Sequence, residues 1–178
     1  MARGTQIDLP ITKWLLQDWS VNAWNARFVL VNFRLAQYLY ARAGVFGRLW
    51  AVFYRLHTSL VLSVELPPEL AVGRRLRVFH PHGIVIHADA VLGSDCLLRH
   101  NVTIGAITRR NGQSTGAPVI GNGVEFGANC VVVGETTVGD NARIAALALV
   151  TSDVPGGATA AGNPAMVRER VDSKPTSS

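Results

Sequence analysis

A histidine-rich segment in the middle of the sequence carries the side chains best suited to proton transfer. It reads His80-Pro81-His82-Gly83-Ile84-Val85-Ile86-His87, and a carboxylate, Glu65, lies fifteen residues before its first histidine. Imidazole gains and loses a proton near neutral pH, and a carboxylate bonded to it fixes its tautomer and stabilises the imidazolium. The segment therefore predicts a base and its orienting carboxylate, provided that the fold brings Glu65 and His80 together.

The other histidines carry weaker predictions. His82 and His87 could line the same cleft as His80, although a structural hydrogen bond is the favoured role for His87. His100 could meet an acceptor or a neighbouring subunit. We expect no metal site, because these histidines are not spaced to converge on one plane and two cysteines are too few for a cysteine cluster.

An internal repeat of six residues predicts the elements that must position these side chains. Aliphatic or aromatic anchors recur every six positions in three runs, at Leu66, Val72 and Val78, at Ile86, Leu92, Leu98 and Ile104, and at Ile120, Phe126, Val132, Val138, Ile144 and Val150. Small or β-branched residues stand four positions after the last ten anchors, at Ala90, Cys96, Val102, Thr108, Val124, Cys130, Thr136, Ala142, Ala148 and Val154. A period of six fits a short strand and a tight corner, three of which close one triangular coil of about eighteen residues. The sequence thus predicts about four stacked coils with the anchors inside.

Two interruptions of the repeat predict loops on the surface of the coils. One step between anchors, beside His80, is eight residues, so two residues are inserted there; another, from Ile104 to Ile120, is sixteen, so ten residues form an extruded loop within 108–118. Insertions in a solenoid lie on its surface and often form the binding face. Because fifteen residues approach the length of one coil, we expect Glu65 and His80 to be neighbours across one coil step.

The repeat divides the chain into a helical segment, 1–62, a β-helix domain, 63–165, and a C-terminal tail, 166–178. Within the first, residues 22–60 are predicted to form two helices that separate near Gly44. The shared apolar face of this amphipathic stretch consists of Phe28, Val31, Leu35, Tyr38 and Leu39.

Arginines recur along the same stretch at intervals of seven residues or a multiple of seven, with Arg42 one place off: Arg27, Arg34, Arg42, Arg48 and Arg55. They predict a basic helix face, for which two interpretations remain open. The face is either solvated, on helices that pack against the coils or a sister subunit, or it attaches the protein to anionic lipid with the help of Trp14, Trp19, Trp24 and Trp50.

The overall charge favours an anionic partner. The 178 residues include 17 Lys and Arg against 12 Asp and Glu, a net charge of +5. We expect no nucleic-acid partner, because the sequence has no Lys/Arg block and no nucleic-acid-binding module. It has neither the pattern of a signal peptide nor an uncharged apolar run of about 18 residues, so we expect a cytoplasmic protein. Peripheral contact with the inner face of the membrane is compatible with this location and stays open.

The stretch from Glu65 to Pro164 carries four motifs, which read VELPP from Val64, HPHGIVIH from His80, NVTIG from Asn101 and AGNPA from Ala161. These motifs resemble the hexapeptide-repeat acyltransferases, most of all the serine acetyltransferase branch and its relatives in exopolysaccharide gene clusters. The resemblance implies a mainly β fold, a left-handed parallel β-helix with an N-terminal helical segment. It also implies an acetyl-CoA-dependent O-acetyltransferase that assembles as a homotrimer.

The resemblance implies roles for individual residues. In this family a histidine before the Gly-Ile-Val segment deprotonates the acceptor hydroxyl, and a carboxylate fifteen residues upstream orients it; the matching residues are His80 and Glu65. The pantetheine arm of acetyl-CoA lies in a groove between subunits, whose matching positions are Gly105, Ala128, Ala146 and Asn163. Guanidinium groups pair well with phosphate, and the candidates here are Arg109, Arg110, Arg168 and Arg170.

The acceptor site departs from the serine enzymes. Those enzymes hold the amino acid with an aspartate before the catalytic histidine and an Arg-His pair at the end of the extruded loop, where this sequence has Phe79, Gly116 and Ala117. A zwitterion buried without charge partners is strongly disfavoured, whereas an aromatic ring beside the base suits a sugar. We therefore predict a saccharide hydroxyl as acceptor, contacted by Phe79, His82 and His100, with serine as the alternative acceptor and a non-catalytic trimeric scaffold as a minor alternative function.

Overall fold

The computed structural model describes Ile7 and residues 9–168. In this part of the chain an N-terminal helical segment packs on a parallel β-solenoid of about five turns. Positions 169–178, which include Arg170 and most of the predicted tail, lie outside the described residues.

The helical segment consists of α1 (Ile11–Leu16), a 3-10 turn (Trp19–Val21), α2 (Trp24–Arg42), α3 (Gly44–His57) and a π-helical turn (Thr58–Leu62). Gly44 has a φ of 54°, a left-handed conformation that glycine adopts with little strain. It separates α2 from α3 where the sequence predicts a break. Among the described helices, none has the length and apolar character needed to cross a bilayer.

α2 packs with a different face from the one that the sequence predicts. Its buried residues are Ala26, Val29, Leu30, Phe33, Arg34, Ala36 and Gln37, whereas Phe28 on the predicted apolar face is 55% exposed. The reason is a buried ion pair, in which Arg34 Nε donates to Asp18 Oδ2 at 2.8 Å. Arg34 also donates to the backbone carbonyl oxygens of Val72 and Gly73 in the solenoid. The prediction that Arg34 lies on a basic surface is therefore wrong. Arg34 is buried and joins the helices to the coils through these hydrogen bonds.

Fifteen short strands in the described residues form three sheets, one on each side of the triangular coil. The first sheet contains β1 (Val64–Glu65), β4 (Ile84–Ile86), β7 (Thr103–Gly105), β10 (Val131–Val133) and β13 (Leu149–Val150). The second contains β2 (Ala71–Val72), β5 (Val91–Leu92), β8 (Val119–Ile120) and β11 (Thr137–Val138). The third contains β3 (Arg77–Val78), β6 (Leu97–Leu98), β9 (Glu125–Phe126), β12 (Arg143–Ile144), β14 (Thr159–Ala161) and β15 (Met166–Arg168). Neighbours pair in parallel except β14 and β15, which are antiparallel, so the predicted tail begins with a strand.

The anchors of the repeat form the core of the solenoid, and the predicted fold is confirmed. All thirteen are buried, at 0 to 8% exposure, and they stack in register, as Phe126 does on Ile144. Two details differ from the prediction. The solenoid gains a further turn because Ala160 stacks on Ile144, and Thr108 is exposed because the extruded loop leaves the coil there, bridged to Ser114.

Candidate active site

His80 lies on an exposed edge of the solenoid, where the chain turns from β3 in the third sheet to β4 in the first. Its φ of 57° is left-handed, a conformation that costs a non-glycine residue about 1 kcal/mol or more. Pro81 is buried behind it, and the His82 N–H donates to the His80 carbonyl oxygen at 2.7 Å. The two-residue insertion thus makes a tight turn that leaves the imidazole outside the core, as the sequence predicts.

Four of the predicted site residues share this edge on successive turns: His80, His100, Ala128 and Ala146. The N–H groups of Asn129 and Leu147 donate to the carbonyl oxygens of His100 and Ala128, at 3.1 and 3.0 Å, and these bonds join one turn to the next. The rings of His80 and His100 lie edge to face, with 6.1 Å between their centroids. We call this row the histidine edge; it comprises residues 79–83, 99–101, 127–129, 145–147 and 161–163.

Left-handed residues build the corners of the histidine edge. Ser63, Gly83, Asn101, Asn129 and Leu147 have φ values from 53° to 65°. Asparagine tolerates this conformation better than most residues. At Gly83 the packing is also tight, because a Cβ would lie 1.9 Å from the Asn101 side-chain oxygen. The corner at Gly83 is therefore too narrow for a larger side chain.

Glu65 lies at the start of the first coil of the solenoid, and His80 lies at the end of the same coil. Its Cα is in register with Val85 of β4, and its carboxylate accepts a hydrogen bond from Ser59 Oγ at 3.0 Å. Glu65 also lines a cavity of about 320 Å³ at the end of α3, together with Tyr54 and Pro67. Among the contacts of the described residues there is no hydrogen bond or ion pair between Glu65 and His80. Their direct contact stays a prediction, since catalytic hydrogen bonds often tighten only when substrate is bound.

The predicted acceptor residues surround His80. Phe79 is 39% exposed, and the Arg99 guanidinium carbon lies 5.6 Å from the centroid of its ring. His82 is exposed on the same turn. At the end of the extruded loop Gly116 is exposed and Ala117 is half-buried, and neither has a side chain that pairs with an ammonium or a carboxylate.

The predicted cofactor positions divide between two edges. Ala128, Ala146 and Asn163 belong to the histidine edge, whereas Gly105 ends β7 at the opposite end of the first sheet's strands. Space outside Gly105 is open, because a Cβ there would meet no atom within 4 Å. Two arginines of the extruded loop, Arg109 and Arg110, are exposed. The loop follows Gly105 and so leaves the coil at the same edge as Gly105. One chain therefore does not bring the two groups together.

The remaining histidines are engaged in local contacts. His87 Nδ1 accepts a hydrogen bond from the Asp89 N–H at 3.2 Å, which is the structural role that the sequence favours. His57 stacks on Phe53, with 6.2 Å between ring centroids. The described residues include no group of three or more His, Cys, Asp or Glu side chains placed to hold a metal ion.

Sequence reasoning missed the alignment of the histidine edge, although the spacing contains it. His80 and His100 are 20 positions apart, one coil plus the two-residue insertion; His100 and Ala128 are 28 apart, one coil plus the ten-residue loop. Ser59 and Arg99 were also missed. The contact of Ser59 depends on a π-helical turn, for which the spacing offers no signal.

Comparisons with known proteins agree with this geometry. Residues 117–152 match the family model for bacterial transferase hexapeptide (six repeats). The inferred colanic acid biosynthesis acetyltransferase WcaB of Escherichia coli (strain K12) is 33% identical over 162 residues, which cover 86% of this chain and 98% of that protein.

Two solved structures share the fold. The serine acetyltransferase of Vibrio cholerae O1 biovar El Tor N16961 superposes with a TM-score of 0.77 at 26% identity, covering 92% of this chain and 67% of that one. A serine acetyltransferase in complex with CoA superposes with a TM-score of 0.71 at 27% identity over 82% of this chain. The present chain spans 58% of the length of that structure.

Proposed function

Because the chain belongs to the hexapeptide-repeat acyltransferases, we propose that it transfers the acetyl group of acetyl-CoA to a hydroxyl of a sugar or exopolysaccharide precursor. His80 is the general base and Glu65 its orienter. The observation that carries the proposal is the exposed imidazole of His80, held by a tight turn at one end of an edge on which His100, Ala128 and Ala146 follow on successive coils.

In this mechanism His80 removes the proton of the acceptor hydroxyl as its oxygen attacks the thioester carbonyl carbon. The new carbon–oxygen bond forms and the carbon–sulfur bond breaks, and the imidazolium returns the proton to the departing CoA sulfur. General-base catalysis of this kind contributes about 10² to 10⁴ in rate. Glu65 stabilises the imidazolium and fixes its tautomer.

The histidine edge fits an extended pantetheine arm. Turns of the solenoid are about 4.8 Å apart, so His80 and Ala146, three turns apart, are separated by roughly 15 Å along the edge. An arm laid along this strip has its thioester beside His80 and its phosphates towards Asn163. A cavity of about 240 Å³ beside Ala146 is lined by Arg99, Arg143 and Glu125. Arg143 Nε lies 3.7 Å from the Glu125 carboxylate, so Arg99 is the cation of this lining that suits an anionic cofactor.

A homotrimer completes the site in this proposal. Gly105 and the extruded loop lie on a different edge from His80, so the loop of one subunit can reach the histidine edge only of its neighbour. Arg109 and Arg110 are then supplied in trans to the cofactor phosphates. The same arrangement is the groove between subunits that the family resemblance implies.

A saccharide acceptor is favoured by the residues around the base. Phe79 offers an apolar ring next to His80, and the positions of the serine contacts are occupied by Gly116 and Ala117. The Escherichia coli relative described above is named for colanic acid biosynthesis. Serine is the alternative acceptor. Two observations favour it: Arg99, a cation beside Phe79, could pair with a carboxylate, and the two solved structures that share the fold are serine acetyltransferases.

A thiol-release assay with purified protein and acetyl-CoA tests the acceptor. The panel contains L-serine, free sugars, nucleotide sugars and a lipid-linked saccharide. We expect release of CoA with a saccharide in excess of the rate with serine. Turnover of L-serine alone would contradict the saccharide assignment, and no turnover with any acceptor by a folded protein would favour the scaffold.

A further inference from the structure

The side of α3 that faces solvent is apolar. Six side chains form this outer face of α3 and are 57 to 73% exposed: Val45, Phe46, Leu49, Val52, Phe53 and Leu56. The residues that α3 buries are Gly47, Ala51 and Tyr54, on its opposite side. A surface helix of a globular protein normally has the reverse arrangement, with its apolar stripe towards the core.

The apolar surface continues beyond α3. Leu60 and Val61 in the π-helical turn are 78% and 67% exposed, and they extend the outer face towards the first strand of the solenoid. Contiguous apolar surface of this extent is rare on monomeric soluble proteins and marks an interaction site.

The charged side chains of α2 and α3, the two helices that form and flank the outer face, are all basic. No acidic residue occurs between Asp18 and Glu65, and the same 46 residues contain five arginines. Arg34 is neutralised by Asp18, and Arg55 pairs with Glu69. Arg42 and Arg48 are exposed. Arg42 donates to the Ile7 carbonyl oxygen and lies over the Tyr38 ring, contacts that leave its positive charge uncompensated, so the charge beside the outer face is basic.

We propose that the outer face of α3 docks on the surface of a bilayer that contains anionic lipid. The apolar side chains enter the boundary between headgroups and acyl chains, and Arg42 and Arg48 lie among the lipid phosphates, as in other interfacial amphipathic helices. A second copy of the chain is a poorer occupant. Pairing two outer faces would bring arginines of both copies together where α3 provides no carboxylate, and like charges at an interface are unfavourable.

Flotation of the full chain with vesicles tests the proposal without reference to catalysis. We expect the protein to float with vesicles of phosphatidylcholine and phosphatidylglycerol, less with phosphatidylcholine alone, and less at high salt, which screens the arginines. Leu49→Gln with Phe53→Gln should lower partitioning at least about tenfold. Arg42→Gln with Arg48→Gln should remove the preference for anionic vesicles. Met166→Gln, which changes a side chain 70% exposed on β15, is the matched control.

Three outcomes would overturn the proposal. Wild-type protein that stays with the aqueous phase in the presence of anionic vesicles would do so, as would equal flotation of the Leu49→Gln, Phe53→Gln variant. Light scattering gives the third. If that variant has a smaller assembly mass than wild type and unchanged flotation, the outer face is covered by a second copy of the chain.

Discussion

The hydroxyl of Ser59 donates a 3.0 Å hydrogen bond to the Oε1 atom of Glu65. Ser59 lies in the π-helical turn that ends the helical segment, and Glu65 lies in the first strand of the solenoid. π-Helical turns are uncommon and often occur at functional sites. The bond holds one oxygen of the carboxylate, and we infer from it that Ser59 is a positioning residue for the proposed orienter.

Removing this hydroxyl should impair turnover and leave binding intact. Ser59→Ala is expected to lower kcat about three- to tenfold with an unchanged KM for acetyl-CoA, since the carboxylate loses a contact that fixes its direction. Ser59→Thr keeps the hydroxyl and should restore most of the rate. Steady-state kinetics of the two variants checks this; equal kcat values for both, or a change in KM alone, would contradict the positioning role.

The buried ion pair of Asp18 and Arg34 should be a major contributor to stability. Asp18→Ala leaves a guanidinium without its charge partner inside the protein, and we expect a loss of about 3 to 5 kcal/mol in the free energy of unfolding. The exposed pair of Arg143 and Glu125 is the comparison, and Glu125→Ala should cost about 1 kcal/mol or less. Urea denaturation measures both, and equal losses would contradict the account.

The two cysteines should be inert in the folded protein. Burial raises the pKa of the Cys96 thiol to about 11 and that of Cys130 to about 12, and only the thiolate is nucleophilic. At pH 8 the native protein should therefore resist thiol reagents, and both residues should react after denaturation. Rapid labelling of the native protein would contradict this prediction.

The same pKa shifts predict how stability depends on pH. The unfolded thiols ionise near their ordinary pKa of 9.0, whereas the folded thiols keep their protons to higher pH. The folded state then binds more protons, so the free energy of unfolding should fall as the pH rises above 9. Cys96→Ala with Cys130→Ala should flatten that slope in urea titrations between pH 8 and 11. An unchanged slope would show that other groups cause it.

A large side chain on the histidine edge should obstruct the cofactor. Ala146→Phe places a ring over the strip where the pantetheine arm is proposed to lie, so we expect the KM for acetyl-CoA to rise about tenfold while the fold is retained. Val119→Phe alters a half-exposed position of the second sheet, away from that edge, and should leave the KM unchanged. Equal effects of the two substitutions would place the cofactor elsewhere.

The solenoid could be predicted because its signal is local. Each coil repeats the same short pattern, so thirteen anchors identify the interior without knowledge of any distant contact. The insertion at His80 could be recognised for the same reason, as a break in a regular step. Spacing also contains the stacking of His100, Ala128 and Ala146 on the histidine edge, once both insertions are counted.

The helical segment could not be predicted to the same depth. The choice of the buried face of α2 depends on Asp18, which lies outside the helix and pairs with Arg34 only in the folded chain. Hydrophobic periodicity alone favours the face with Phe28, because the pattern contains no information about which charged side chains will be buried as ion pairs. The bond from Ser59 to Glu65 has the same character, since it joins two elements of different geometry.

The direct test of the central claim is the rate of CoA release by His80→Ala. With the acceptor identified in the panel, we expect kcat to fall by about 10² to 10⁴, with an unchanged circular dichroism spectrum and assembly mass. His100→Ala, which removes the neighbouring ring 6.1 Å away, should have a much smaller effect on kcat. A folded His80→Ala protein that acetylates the same acceptor at the wild-type rate would contradict the account.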